Sequence, residues 1–437
     1  MRIAVIGTGH VGLVTCATLA SLGHDVIGVD SDDEKIEMLR RGTTPFFEPG
    51  LEDLVGEEIA AGRLSFENEP AGAVRDAEVV FICVGTPARA SGEANLSAVE
   101  QAARSVAAHA EQPIVVVEKS TVPAGTAERV KRTAVRERPD LIGQIEVASN
   151  PEFLREGRAV EDSLEPNRIL VGAESEWAFE RLREVYKPLV DRGHRLIETD
   201  IKTAELAKHA CNAFLALKIS YANALARICE RAGADILDVA EVMGSDPRIG
   251  PEFIKAGLGY GGYCFPKDIQ AFERLSARLG YRFPLLNEIA RINDEAVTAT
   301  LDKIEDALWN LEGKRVTLLG LAFKPGTDDT RFSPALALAV RLLAEGVEVI
   351  GFDPEASANA KSEVPDLQIA PSPYEAAQGA HCVVLCTEWD EFSSLDLERL
   401  HEVMTYNVLV DGRNFIEVDK ATAAGFDLYP TGRLPRS

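Results

Sequence analysis

The chain has 437 residues, 46% hydrophobic and 27% charged, the make-up of a soluble globular protein too long for a single ordinary core. Its formal net charge of −24 excludes the basic surface that nucleic acid or an anionic membrane would require, so an anionic ligand must be met by cations gathered locally. Seven scattered cysteines point to a reduced, cytoplasmic protein rather than a disulfide framework, and no stretch reaches the ~18 uninterrupted apolar residues of a membrane span.

The amino terminus runs straight into a strand pattern, with no leader-like segment expected. Segments 2–7, 25–30, 79–85, 113–120 and 145–151 are short β-branched runs separated by helical stretches, which predicts buried parallel strands in a doubly wound sheet. Between the first strand and its helix lies Gly7-Thr8-Gly9-His10-Val11-Gly12, and Asp30 closes the second strand. The glycines allow a tight turn and backbone approach to a pyrophosphate, while Asp30 suits a ribose diol and repels a 2′-phosphate. NAD, rather than NADP, is the expected cofactor.

Thr86 in "VGTP" and Thr121 in "KSTVPAGT" end predicted parallel strands, where ligands of such sheets sit; ordinary loop and cap hydroxyls are the competing reading. "NPEFLREG" sets Glu152 and Glu156 four residues apart, a spacing more often that of a solvated pair than of a catalytic one.

From Thr203 to about Ala232 one helical pattern runs without Gly or Pro, with Asp200 as its cap and Gly233 as its stop. Leu206, Ala210, Phe214, Leu217, Tyr221, Leu225 and Ile228 form one apolar stripe. The helix would be about 45 Å long, more than a small domain needs, so it reads as a connector with a face free for a second copy. Lys208 and Asn212 lie off that stripe among alanines, which favours a ligand over open solvent.

Residues 259–268, "GYGGYCFPKD", combine three glycines with a thiol, a cation and a carboxylate. One hydride transfer needs a base and no thiol. A thiol becomes useful when the first product is an aldehyde that must be oxidised again: Cys264 would hold it as a thiohemiacetal and then a thioester, with Lys267 and Lys208 favouring the thiolate. The competing reading is an inert buried cysteine. Cys382 and Cys386 flank an apolar strand and read as core, so no metal is expected.

The last third restarts the first. Segments 314–320 and 347–353 repeat the first two strands, down to the closing acid Asp353, but "LAFKPGTDDTRFSP" replaces the glycine fingerprint. The expected fold is α/β, with an N-terminal Rossmann dinucleotide-binding domain (1–199), a central helical domain with one long connecting helix (200–300) and a C-terminal Rossmann-like domain (301–437).

Taken in order, GTGHVG, VGTP, KSTVPAGT, NPEFLREG, AELAKHACNAF, DPRIG, GYGGYCFPKD and GLAFKPGTDDTR resemble the UDP-glucose/GDP-mannose dehydrogenase family over essentially the whole chain. The resemblance implies NAD-dependent four-electron oxidation of a UDP-sugar, UDP-glucose to UDP-glucuronate, with GDP-mannose or another nucleotide sugar as the alternative. It implies Cys264 as nucleophile, and Lys208, Asn212 and Asp268 as the group that steadies the C6 oxygen and a base water. Glu152 would help hydrolyse the thioester and Thr121 would position water. The cofactor contacts it implies are Gly7, Gly9, His10, Val11, Gly12, Thr86, Thr121, Glu156, Lys267 and Arg331, with Asp30 and Lys35 on the adenosine ribose.

For the sugar nucleotide it implies Glu152, Phe153, Leu154 and Arg155, then Lys208 and Asn212. A strand and loop from Phe253 to Gly259, including Lys255, Gly257 and Leu258, would cradle it, followed by Gly261. Phe323, Lys324 and Arg413 of the C-terminal domain would complete the set, with Arg248 donated by a neighbouring subunit of a homodimer or higher homo-oligomer. Lys255, Lys324, Arg331, Arg413 and Arg248 supply the local cations that two pyrophosphate charges need. Where the family often has a small residue before the cysteine, this chain has Tyr263. Two other classes of reading remain: a single-step β-hydroxyacid-type dehydrogenase, needing neither thiol nor third domain, and an inactive nucleotide-sugar-binding protein, which would have a damaged Cys–Lys–Asn–Asp set.

Overall fold

The computed structural model describes residues 1–435; Arg436 and Ser437, the end of the expected C-terminal domain, lie outside the described residues. The chain divides into two compact units, one of Met1–Cys211 with Gln270–Tyr281, the other of Asn212–Ile269 with the chain from Arg282 onward.

The first unit carries an eight-stranded sheet, built from β1 (Arg2–Ile6), β2 (Asp25–Val29), β3 (Leu64–Glu67), β4 (Val79–Ile82), β5 (Ile114–Glu118), β6 (Ile145–Ser149), β7 (Ile169–Gly172) and β8 (Leu196–Thr199). Their spatial order is β3-β2-β1-β4-β5-β6-β7-β8. Both faces are covered. In β1, Ile3 and Val5 enter one apolar cluster while Ala4 and Ile6 enter the other, which is why the strand is apolar at successive positions. The five strands expected from sequence are present. β3, β7 and β8 are four residues each, too short for periodicity to reveal, and β7 meets β6 in antiparallel sense at Ser149 and Gly172.

The second unit carries a six-stranded parallel sheet of β9 (Arg315–Leu319), β10 (Glu348–Phe352), β11 (Gln368–Ile369), β12 (Cys382–Leu385), β13 (Val408–Asp411) and β14 (Asp427–Pro430), in the order β11-β10-β9-β12-β13-β14. Cys382 and Cys386 are buried in its core, and burial pushes both thiols up, the second to about 12. The repeat seen in the sequence diverges at the acids. Asp30 is only partly buried, whereas Asp353 is 2% exposed and its Oδ2 accepts from the backbone N–H of Leu321 and Ala322 and from Trp389 Nε1. The second acid is consumed by its own loops.

The long helix spans Ile201–Ala232 and starts where expected: Asp200 accepts from the Thr203 N–H at 2.9 Å, and Gly233 follows at φ 73°. Its apolar stripe faces outward, with Phe214 61%, Tyr221 52% and Ile228 60% exposed, while Asn212 is buried. Among the described residues no helix is long and apolar enough to cross a membrane.

One expectation fails. Residues 253–259 contain no strand; Phe253 sits at φ 64° and the segment is irregular. Side chains take its backbone donors instead: Gly257 N–H donates to Asn223 Oδ1 at 2.8 Å and Tyr260 N–H to Asn293 Oδ1 at 2.7 Å. Pro251 and the glycines leave little pull toward a ladder.

Glu118, the last residue of β5, is 1% exposed and neither carboxylate oxygen has a hydrogen-bond partner among the described residues. Burial, reinforced by the charge of Glu205, pushes it up to about 8. The native state therefore holds a proton there that the unfolded chain releases near its ordinary value. This contribution is full below that value and disappears as pH rises through about 8. Glu118→Gln should flatten the decline in unfolding free energy between pH 5 and 9 by on the order of 4 kcal/mol. Denaturant titrations of both proteins across that range check it; parallel profiles would refute it.

Candidate active site

In the first unit, the loop after β1 divides its glycines by task. Gly7 takes φ +93°, and a Cβ on Gly12 would fall 1.8 Å from the Gly7 carbonyl oxygen, so Gly12 is imposed by helix–strand packing. A Cβ on Gly9 would meet no described atom within 4 Å, which leaves that backbone approachable by a phosphate. Asp30 Oδ2 accepts from Thr8 N–H and Oγ1, both at 2.9 Å, and pairs with Lys35 Nζ at 3.0 Å. Burial raises its pKa, but the Thr8 bonds and Lys35 outweigh that and hold the carboxylate below its ordinary value. It stays charged, as a ribose acceptor must. Val11 is the second residue of the helix His10–Ser21 that follows this turn.

His10 does more than fill the fingerprint. Its Nε2 lies 2.8 Å from Glu48 Oε2, and its ring stacks on Phe46 at 4.4 Å. The buried Glu48 also accepts from the N–H groups of Gly157 and Ala159, both at 2.7 Å. One carboxylate thus ties the phosphate-loop helix to the "NPEFLREG" loop. Sequence reading missed Glu48 because its partners lie 38 and 109 residues away.

In that loop Glu152 and Lys208 form a buried ion pair, Oε1 to Nζ 2.8 Å, and Glu152 Oε2 accepts from the Leu154 N–H. The Phe153 ring lies under both Lys208 Nζ (5.3 Å) and Arg168 (3.9 Å). Arg155 is held by both oxygens of Asp162, and Glu156 is half-buried in the same turn. Thr86 and Thr121 come together, the Thr86 hydroxyl donating to the Thr121 carbonyl at 2.9 Å.

The second unit holds the thiol. Cys264 is the first residue of the helix Cys264–Arg278, where aligned peptide dipoles favour negative charge, and Asp268 stands one turn further along. Asp268 is 1% exposed; Asn212 Nδ2 donates to its Oδ2 at 2.6 Å, and Lys267 Nζ lies 2.8 Å from its Oδ1. Tyr263 sits between two cations, with Lys267 Nζ 5.5 Å and Arg331 4.7 Å from its ring. Burial pushes the Tyr263 hydroxyl up, opposed by those two cations. The bulk before the cysteine is therefore packed against charge.

The glycines of this loop approach protein rather than open space. A Cβ on Gly261 would fall 2.4 Å from the Phe332 carbonyl oxygen and 2.9 Å from Phe323 Cβ, and one on Gly262 would strike the Phe323 ring. Gly257 abuts Gly412 and Arg413, whose Nη1 donates to the Gly259 carbonyl at 3.2 Å; Leu258 is fully buried. Lys324 Nζ lies over the Phe323 ring at 5.5 Å, and Arg331 pairs with Asp329 at 2.6 Å. Lys255 is exposed, and Arg248, its side chain 86% exposed, is paired with Asp246.

A phosphate-binding turn with a ribose-directed acid makes the first unit a dinucleotide-binding Rossmann domain of the kind dehydrogenases use. Comparison with known proteins is specific. Residues 1–190 match the NAD binding domain of the UDP-glucose/GDP-mannose dehydrogenase family, 202–295 its central domain and 317–418 its UDP binding domain. The chain belongs to that family, and its cofactor is NAD. It is 44% identical over 437 residues to a UDP-glucose 6-dehydrogenase of Rhizobium meliloti, covering 99% of this chain and 100% of that one. To the UDP-glucose 6-dehydrogenase YwqF of Bacillus subtilis it is 41% identical, covering 99% and 98%. A solved UDP-glucose dehydrogenase from Pyrobaculum islandicum is similar with TM-score 0.91 and 38% identity, over 99% of this chain and 97% of that one.

Asp30 carries a charged carboxylate beside the glycine turn. A 2′-phosphate against this carboxylate should cost at least about 1–3 kcal/mol. The ratio of kcat/KM for NAD over NADP should therefore exceed about tenfold; equal values would show that Asp30 does not meet the ribose.

Proposed function

We propose that this protein oxidises UDP-glucose to UDP-glucuronate in two NAD-dependent steps at Cys264, the residue roles being those drawn from the family resemblance. The observation that carries this reading is the buried Asn212–Asp268–Lys267 set one helical turn from the thiol. Two side-chain donors hold a carboxylate in a nearly water-free position, which is the provision a site makes for moving protons rather than for folding alone. Bound NAD supplies a hydride acceptor for each oxidation.

Asp268, with Lys208 and Asn212, steadies the C6 oxygen and a water that takes the alcohol proton in the first oxidation. Cys264 Sγ then adds to the aldehyde carbon, and the resulting thiohemiacetal gives a second hydride to NAD and its hydroxyl proton to the same water, leaving a thioester. Water, activated by Glu152 and placed by Thr121, attacks that carbonyl; the C–S bond breaks, and the acid and free thiol are released. On the cofactor side we assign His10, Thr86, Glu156, Lys267 and Arg331, with Lys35 beside Asp30. Phe153, Leu154 and Arg155, the 253–261 loop, Phe323, Lys324 and Arg413 are assigned to the sugar nucleotide. The UDP binding domain match and identities of 38–44% to UDP-glucose enzymes support UDP-glucose over other sugars; a UDP-D-ManNAc dehydrogenase of Pyrococcus horikoshii is 29% identical, with TM-score 0.86, over 99% of each chain. The division 1–199, 200–300 and 301–437 and a cytoplasmic location belong to the same reading.

If the reading holds, wild-type enzyme forms two NADH per sugar consumed and releases no free aldehyde. Cys264→Ser should slow the second oxidation and hydrolysis by orders of magnitude, because its hydroxyl is scarcely ionised at neutral pH. Cys264→Ala should retain NAD binding. A ratio of one NADH per sugar, with aldehyde accumulating, would sink the double oxidation.

The same reading includes a dimer. Phe214, Tyr221 and Ile228 on the outward stripe offer a second copy apolar side chains, and Arg248, its side chain 86% exposed, would leave Asp246 for a partner's site. Mixing Arg248→Ala with Cys264→Ala chains should restore part of the activity through hybrid sites. An active monomer in sedimentation would remove this proposal.

A further inference from the structure

The first unit contains a cleft of about 490 Å³, roofed by the 88–94 hairpin and walled by helices Ser97–His109 and Thr126–Glu137 and the 271–278 turns of a third helix. None of the residues assigned above to substrate or cofactor lines it. Six arginines do: Arg89, Arg129, Arg132, Arg136, Arg274 and Arg278.

All six are exposed, and among the described residues only Arg274 has an ion-pair partner, Glu273 at 3.5 Å. On the helix Thr126–Glu137 the charges on the other faces are all used: Glu128 pairs with Lys202, Lys131 with Glu146 and Glu174, and Glu137 with Arg104. Arg129, Arg132 and Arg136, spaced three and four apart, all line the cleft, and among the described residues they form no ion pair. Arg278 is likewise unpaired, one turn from Arg274. Like charges at this spacing destabilise a helix. In a chain where 70 acidic residues face 46 basic ones, partners were abundant. The cleft has two acids, Glu93 and Glu100, and Arg104 holds Glu100 at 3.0 Å. Beneath the rim, Val99, Val130, Ala271 and Leu275 form a buried apolar floor.

We propose that this cleft is a second anion site that binds a nucleoside polyphosphate, the guanidinium groups taking the phosphates and the floor taking the base. Guanidinium presents paired donors that match phosphate oxygens, and the volume lies within the ~300–1,000 Å³ of small-molecule sites.

The test uses the full-length protein with NADH and UDP at saturation, so that the cofactor and substrate sites are filled. Calorimetric titration with ATP should then reveal one further site per chain, and inorganic tripolyphosphate should bind there at least tenfold more weakly. Arg132→Gln with Arg136→Gln, and separately Arg274→Gln with Arg278→Gln, should each weaken ATP binding at least tenfold. KM for NAD and UDP-glucose should stay within twofold and Tm should be unchanged. Absence of ATP binding to the filled enzyme, or binding that survives both double variants, would overturn the site. Equal affinity for ATP and tripolyphosphate would overturn the role given to the floor.

Discussion

A carboxylate removed from water must be given donors, and much of this structure is arranged around that requirement. Glu48 gathers two backbone N–H groups and His10; Glu205 takes the N–H groups of Gly125 and Ala127; Asp353 takes those of Leu321 and Ala322 in the loop after the neighbouring strand. Each joins a loop to an element distant in the chain. Such bonds to charged acceptors are stronger than neutral ones, and breaking one leaves a buried charge behind. The loops at the carboxyl ends of the strands are held this way, and the candidate site is built on them.

Asp268 departs from that pattern in an informative way. Two side chains, Asn212 and Lys267, lie against it, and Glu152 pairs with Lys208 while also accepting from the Leu154 N–H. A backbone N–H is a fixed donor, suited to holding a loop. A lysine or amide side chain can reorient when substrate arrives, and a lysine carries charge that a developing oxyanion can use. Each acid proposed to act on substrate has a lysine within ion-pair distance.

The two sheets show how one plan yields two uses. In both, the second strand ends in an acid that reaches the loop after the first strand. Asp30 keeps part of its surface open and Gly9 leaves room above the backbone. Asp353 is enclosed by four backbone donors and Trp389, and a Cβ on Gly320 would strike Thr387. The second cradle is closed by its own side chains, so the absence of a glycine fingerprint there follows from packing.

What the sequence determined by itself is what local chemistry dictates. Continuous β-branched runs require a sheet covered on both faces, Gly7 to Gly12 with Asp30 require a phosphate turn, and an uninterrupted pattern from Thr203 requires one long helix. The ordered motifs around Cys264 made the family legible as well. What only the tertiary structure decided depends on partners far apart in the chain. Periodicity does not say that Phe214 and Tyr221 face outward, because an apolar stripe reads the same whether it is covered by this chain or left bare. Nor does it reveal that Glu48 serves His10, or that Gly261 and Gly262 pack closely against Phe323. The irregular course of 253–259 belongs here too, since Asn223 and Asn293 take the donors a strand would have used. Sequence states which groups a backbone can offer; only packing decides which of them remain available to something else.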